Sequence, residues 1–132
     1  MEYADRLKQN LALSDEISAQ MKLCTSSLEQ FSQLLKEYIR LRYVIDDTDF
    51  WTDNIRELAR FSMEHQQEMV GNGDEALKDT SLNCAGATSA ETKQILLLMK
   101  LRKDLGVNLP ADYIGTAKSV ADIAQRLFSQ LA

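Results

Sequence analysis

Apolar positions recur at steps of four and three residues through much of the first third of the chain, at Ile17, Met21, Cys24, Leu28, Phe31, Leu35 and Tyr38. That a/d spacing keeps one seam of a helix turned toward a partner helix. No glycine or proline falls between Met1 and Val70, so the first half is predicted to be helical. Ser14, followed by Asp15 and Glu16, is the expected cap and acidic first turn of the seam helix. Tyr3, Leu7 and Leu11 mark a shorter helix before it, which either folds back on the seam or continues it. The seam suits a core helix of a monomeric bundle, or a docking or dimerising coiled coil that would support self-association through residues 14–44. A break at Thr25, Ser26 and Ser27 into two helices is the third alternative.

The first cluster of turn formers is DDTDFWTDN, residues 46 to 54. A calcium loop starting at Asp46 would place Phe50 and Trp51 where an EF-hand needs an oxygen ligand and a glycine. The acidic side chains of the stretch are therefore expected to cap the next helix, with Trp51 packed beneath it. That helix presents Ile55, Leu58, Ala59 and Met63 on one face, and Gly71 and Gly73 end it. Residues 71 to 88 form a connection longer than most, with Ala76, Leu77 and Leu82 available to tuck against the core. Ser89 then precedes an apolar helix containing Ile95, Leu96, Leu97, Leu98, Met99 and Leu101, stopped by Gly106. Pro110 and Ala111 open a short helical turn ending at Gly115. Ser119 is the expected cap of a final amphipathic helix carrying Val120, Ile123, Ala124, Leu127 and Leu131.

With 132 residues, 45% of them hydrophobic and 27% charged, the chain has the composition of a globular domain. A net charge of -5 and a pI near 4.9 argue against nucleic acid as a partner, because a phosphate backbone selects a basic stripe. The first residues lack the basic start and apolar run of a signal peptide. No apolar run reaches the roughly 18 residues of a membrane span, so a cytoplasmic setting is expected. Cys24 and Cys84 are expected as reduced thiols, and His65, the single histidine, as a bystander. No nucleophile–base pair, P-loop or pair of acids at a catalytic spacing is present, so a non-catalytic protein is expected.

Two motifs carry a resemblance. GATS, residues 86 to 89, ends the long connection, and LRKDLGVNLPADYIGTAKSVADIAQRL, residues 101 to 127, joins a leucine–glycine–valine junction to a proline-containing link and a serine–valine helix start. With them, residues 53 to 132 resemble the acyl and peptidyl carrier proteins of fatty acid, polyketide and nonribosomal peptide biosynthesis. The resemblance implies an all-α fold, a carrier-protein-like four-helix bundle over 53–132, with a helical, coiled-coil-like extension over 1–50. It implies 4'-phosphopantetheine on Ser89, an acyl or aminoacyl thioester on that arm, and partnership with a phosphopantetheinyl transferase and acyl- or aminoacyl-handling enzymes. Leu97, Met99 and the segment Val107 to Ile114 would line a cleft for the cargo. Counting back from the junction with the family's spacing lands on Glu91, which leaves open a carrier-like interaction domain or adaptor without the cofactor. Lys93, Lys100, Arg102 and Lys103 make the helix after Ser89 basic, closer to peptidyl than to acyl carriers.

Overall fold

The computed structural model describes residues 3–46, 50–70 and 89–131. These residues are all-α, with helices α1 (Tyr3–Leu23), α2 (Leu28–Tyr43), α3 (Ile55–Val70), α4 (Ala90–Leu105), α5 (Ala111–Thr116) and α6 (Val120–Leu131). Among them the β-type pairing is an isolated antiparallel bridge between Asn54 and Ser119. No helix among the described residues is long and apolar enough to cross a membrane.

The predicted seam is divided between two helices. α1 runs unbroken through Ser14, which is an interior residue and not a cap. Its hydroxyl donates to Leu11 O at 2.7 Å and accepts from Arg42 Nη1 at 3.2 Å, so a buried serine is satisfied without ending the helix. The chain reverses at Cys24–Ser27, where Ser27 caps α2 by accepting from Gln30 N at 3.2 Å. An ion pair of Arg6 with Asp46 and the Arg42–Ser14 bond set α2 antiparallel on α1. At the far end of α2, Val44 takes a left-handed conformation, φ 55°. Such a conformation costs a β-branched residue energy, and burial of the Val44 side chain, 1% exposed, opposes its relaxation.

The seam residues turn inward to this chain's own core. Met21, Phe31, Leu35 and Tyr38 are fully buried, in one cluster with Ile55, Leu58, Leu98, Leu101, Ile123 and Leu127. Phe31 packs on Phe128 of α6, ring centroids 5.6 Å apart. Ile17 and Cys24 lie partly buried against the same cluster, while Leu28 is 40% exposed. The 1–50 segment, expected as an extension, thus shares its apolar interior with residues 55–127.

Gly106 and Ser119 act where expected, whereas the cap of α3 is an amide and not an acidic side chain. Asn54 caps α3 by accepting from Glu57 N at 3.1 Å. Gly106 ends α4 in the left-handed region, φ 66°, where glycine has no Cβ penalty. Ser119 caps α6 by accepting from Asp122 N at 3.1 Å. A second cap comes from far along the chain. Asp53 Oδ1 accepts from Ala121 N at 2.9 Å, Asp53 Oδ2 accepts from the Ser119 hydroxyl at 2.5 Å, and Asp53 O accepts from Val120 N at 2.7 Å. Trp51 is half-buried against the core, with Lys36 Nζ and Arg40 Cζ of α2 5.0 and 4.8 Å from its ring centre. Gly71, Gly73, Ala76, Leu77, Leu82 and Cys84 lie outside the described residues.

Candidate functional site

Ser89 stands at the N-cap of α4 in an extended conformation, φ -136°, ψ 151°. Its carbonyl accepts the first intrahelical bond from Lys93 N at 3.0 Å. Its hydroxyl accepts from Thr92 N at 3.1 Å and donates to the Thr92 hydroxyl at 2.8 Å, on the exposed side of the helix end. Capping leaves the N–H groups of Ala90 and Glu91 without an intrahelical acceptor, and the helix dipole adds partial positive charge there. Glu91 is exposed, an anion in the favourable first turn. The first three residues of GATS, Gly86, Ala87 and Thr88, lie outside the described residues.

One turn below Ser89 the interior is polar, which an apolar count of α4 does not reveal. Lys93 is 1% exposed. Its stem is enclosed and its ammonium lies 5.5 Å from the centre of the Tyr43 ring, whose hydroxyl donates to Lys93 O at 3.2 Å. Burial pushes the Lys93 amine down to about 8, since a low-dielectric setting disfavours the charged form. Ser62 of α3 donates to Tyr43 O at 2.5 Å, so this corner ties α2, α3 and α4 together.

Gln94 is fully buried and joins three elements. Its amide donates to Ile114 O at 3.1 Å and Ala117 O at 2.9 Å, and its Oε1 accepts from Arg56 Nε at 2.8 Å. Arg56 Nη2 donates also to Gly115 O at 3.1 Å. The end of α5 is thereby fastened to α3 and α4. Gln94→Leu fills the same space but leaves two carbonyls and one guanidinium N–H unpaired. It is expected to cost about 3 kcal/mol, read as a lowered midpoint in urea unfolding with an unchanged slope.

The basic character of α4 is largely consumed inside the fold. Lys93 is buried, Lys100 bonds Asp104 at 3.2 Å and Asp15 at 3.8 Å, and Arg102 Nη1 donates to Leu109 O at 3.2 Å. Lys103 is exposed. The residues expected to line a cargo cleft do not form one wall. Leu97, Val107, Leu109 and Ile114 are core residues, 1 to 9% exposed, whereas Met99 is 43% exposed. His65 stacks on Phe61, ring centroids 5.7 Å apart. No family profile, curated protein or solved structure matches the chain.

Sequence reasoning missed Gln94 and Arg56, and it took Lys93, which is buried, for part of a basic face. The available signal was positional: Lys93, Gln94, Leu97, Leu98, Leu101 and Leu105 follow the steps of one helix face. Two polar residues on that face are buried polar groups in need of partners.

Proposed function

We infer that the chain is a carrier protein, presenting an acyl or aminoacyl group as a thioester on a 4'-phosphopantetheine arm joined to Ser89 Oγ. In this reading α3 to α6 are the four-helix, carrier-like bundle of residues 53–132, and α1 and α2 are its extension. The observation that carries the reading is the Ser89 hydroxyl at the exposed start of α4. The chemistry of Ser89 fits the group. Once esterified, Ser89 Oγ keeps the lone pair that accepts from Thr92 N and loses only the proton it gives to the Thr92 hydroxyl. The N–H groups of Ala90 and Glu91 are placed for a phosphodiester oxygen. The bound arm supplies a terminal thiol, and the protein contributes position and effective concentration at cytoplasmic partner enzymes without performing chemistry itself.

The second reading is a carrier-like interaction domain or adaptor without the cofactor. It is favoured by Glu91 at the position that the family's spacing gives to the modified serine.

Modification separates the two. The wild type, Ser89→Ala and Ser81→Ala are incubated with coenzyme A and a broad-specificity phosphopantetheinyl transferase, and intact masses are read. Wild type and Ser81→Ala are expected to gain the phosphopantetheine mass and Ser89→Ala to remain unmodified. Ser89→Ala stays folded, losing about 1 kcal/mol with its cap. A folded wild type left unmodified by several transferases removes the carrier reading in favour of the second.

A further inference from the structure

We propose that Thr92 is the positioning residue for modification of Ser89, an inference that rests on the carrier reading. A hydroxyl oxygen carries one proton and two lone pairs beside its bond to carbon. At Ser89 Oγ, Thr92 holds two of these: its N–H donates to the oxygen at 3.1 Å, and its Oγ1 accepts the hydroxyl proton at 2.8 Å. A single lone pair is left, and it makes no bond to the protein among the described residues. An untied serine hydroxyl exchanges among staggered rotamers. The double tie selects one of them, so the orienting entropy of the nucleophile is spent before coenzyme A arrives.

Helix capping accounts for only the first of the two bonds. The bond from Thr92 N satisfies a backbone donor of the first turn, whereas the bond between the two hydroxyls satisfies no backbone group. Ser27 caps α2 with the backbone bond alone. The Thr92 hydroxyl in turn donates to no group among the described residues, so its own proton is free to be passed on. Transfer from coenzyme A forms the bond between Ser89 Oγ and phosphorus and breaks the bond from that phosphorus to the bridging oxygen of the nucleotide half, which leaves with the electron pair. The Ser89 proton moves to Thr92 Oγ1 as the Thr92 proton passes to solvent, and Thr92 ends the step unchanged.

Thr92→Val keeps the side-chain shape and the backbone N–H but removes the hydroxyl, and Thr92→Ser keeps the hydroxyl. Transfer from coenzyme A by one broad-specificity phosphopantetheinyl transferase is followed by intact mass against time, with the concentration of the full chain varied. Thr92→Val is expected to show kcat about tenfold below the wild type at an unchanged KM, the worth of one hydrogen bond, and Thr92→Ser to stay within about twofold of the wild type. Circular dichroism and urea midpoints should be alike for all three, because the cap bond to Ser89 Oγ survives in each. A Thr92→Val variant modified as fast as the wild type, a loss carried by KM, or a loss that Thr92→Ser does not restore overturns the role of Thr92 and leaves the carrier reading standing. A folded wild type that takes no phosphopantetheine removes both.

Discussion

Leu35→Asp is expected to unfold the whole chain, residues 89–131 included. Leu35 has no exposed surface and lies in the cluster that joins α2 to α3, α4 and α6. Truncation to alanine alone would cost about 2–5 kcal/mol through lost transfer energy and a cavity. A carboxylate at the same place adds desolvation with no cation provided for it, against a total stability of about 5–15 kcal/mol for an ordinary domain. Leu28→Asp, one heptad earlier on the same predicted seam but 40% exposed, should change stability by no more than about 0.5 kcal/mol. Circular dichroism gives the global loss, and amide exchange across 89–131 distinguishes a shared core from an appended one. Protected amides there in Leu35→Asp would show that α1 and α2 are a separable extension after all.

Stability is expected to rise from pH 8 toward pH 10 and to fall steeply above it. The Lys93 amine is held near 8 in the fold against 10.5 ordinarily. Between those values the unfolded chain binds the extra proton, so raising the pH favours the fold. The full span is worth on the order of 3 kcal/mol. Tyrosines act in the opposite sense. Burial pushes Tyr38 and Tyr43 far above the usual 10.0, and burial together with the bond to Asp122 does the same for Tyr113. Above pH 10 the unfolded chain releases these phenolic protons while the folded one retains them, and stability is lost. Tyr43 is enclosed, 3% exposed, between Ser62 and Lys93, and Tyr38 has no exposed surface. Urea unfolding at a series of pH values checks both limbs. Lys93→Met should flatten the rise between pH 8 and 10 and leave the alkaline fall intact; an undiminished rise in that variant would assign it to another group.

Much of the helical organisation was legible before any coordinates, because it is set by forces acting within about four residues. A glycine-free, 3.6-periodic stretch favours a helix wherever its neighbours are. Ser89 and Ser119 accept from an N–H three residues on, and Gly106 adopts the left-handed turn at little cost. Ser89 at the start of α4 is of this kind, and so is the passage through Gly106 to α5. Ser14 was misread because a serine before acidic residues has the composition of a cap, yet in the fold it bonds Leu11 and Arg42 inside an unbroken helix.

What the sequence by itself determined, then, is which stretches are helical, where several of them stop and which face of each is apolar. Only the tertiary structure decided what those faces meet. An a/d seam serves a second chain or its own core equally well, and the reversal at Cys24–Ser27 turned it inward onto Leu98, Leu101 and Leu127. Four basic residues on α4 read as a charged face, but Lys93 is enclosed, Lys100 answers Asp15 and Asp104, and Arg102 answers Leu109 O. Arg56 meets Gln94 across 38 positions, and Asp53 meets Ser119 across 66. Such pairings depend on which of many mutually exclusive packings buries the most apolar surface while leaving the fewest polar groups unpaired. That comparison is made over the whole chain at once, and no local spacing records its outcome.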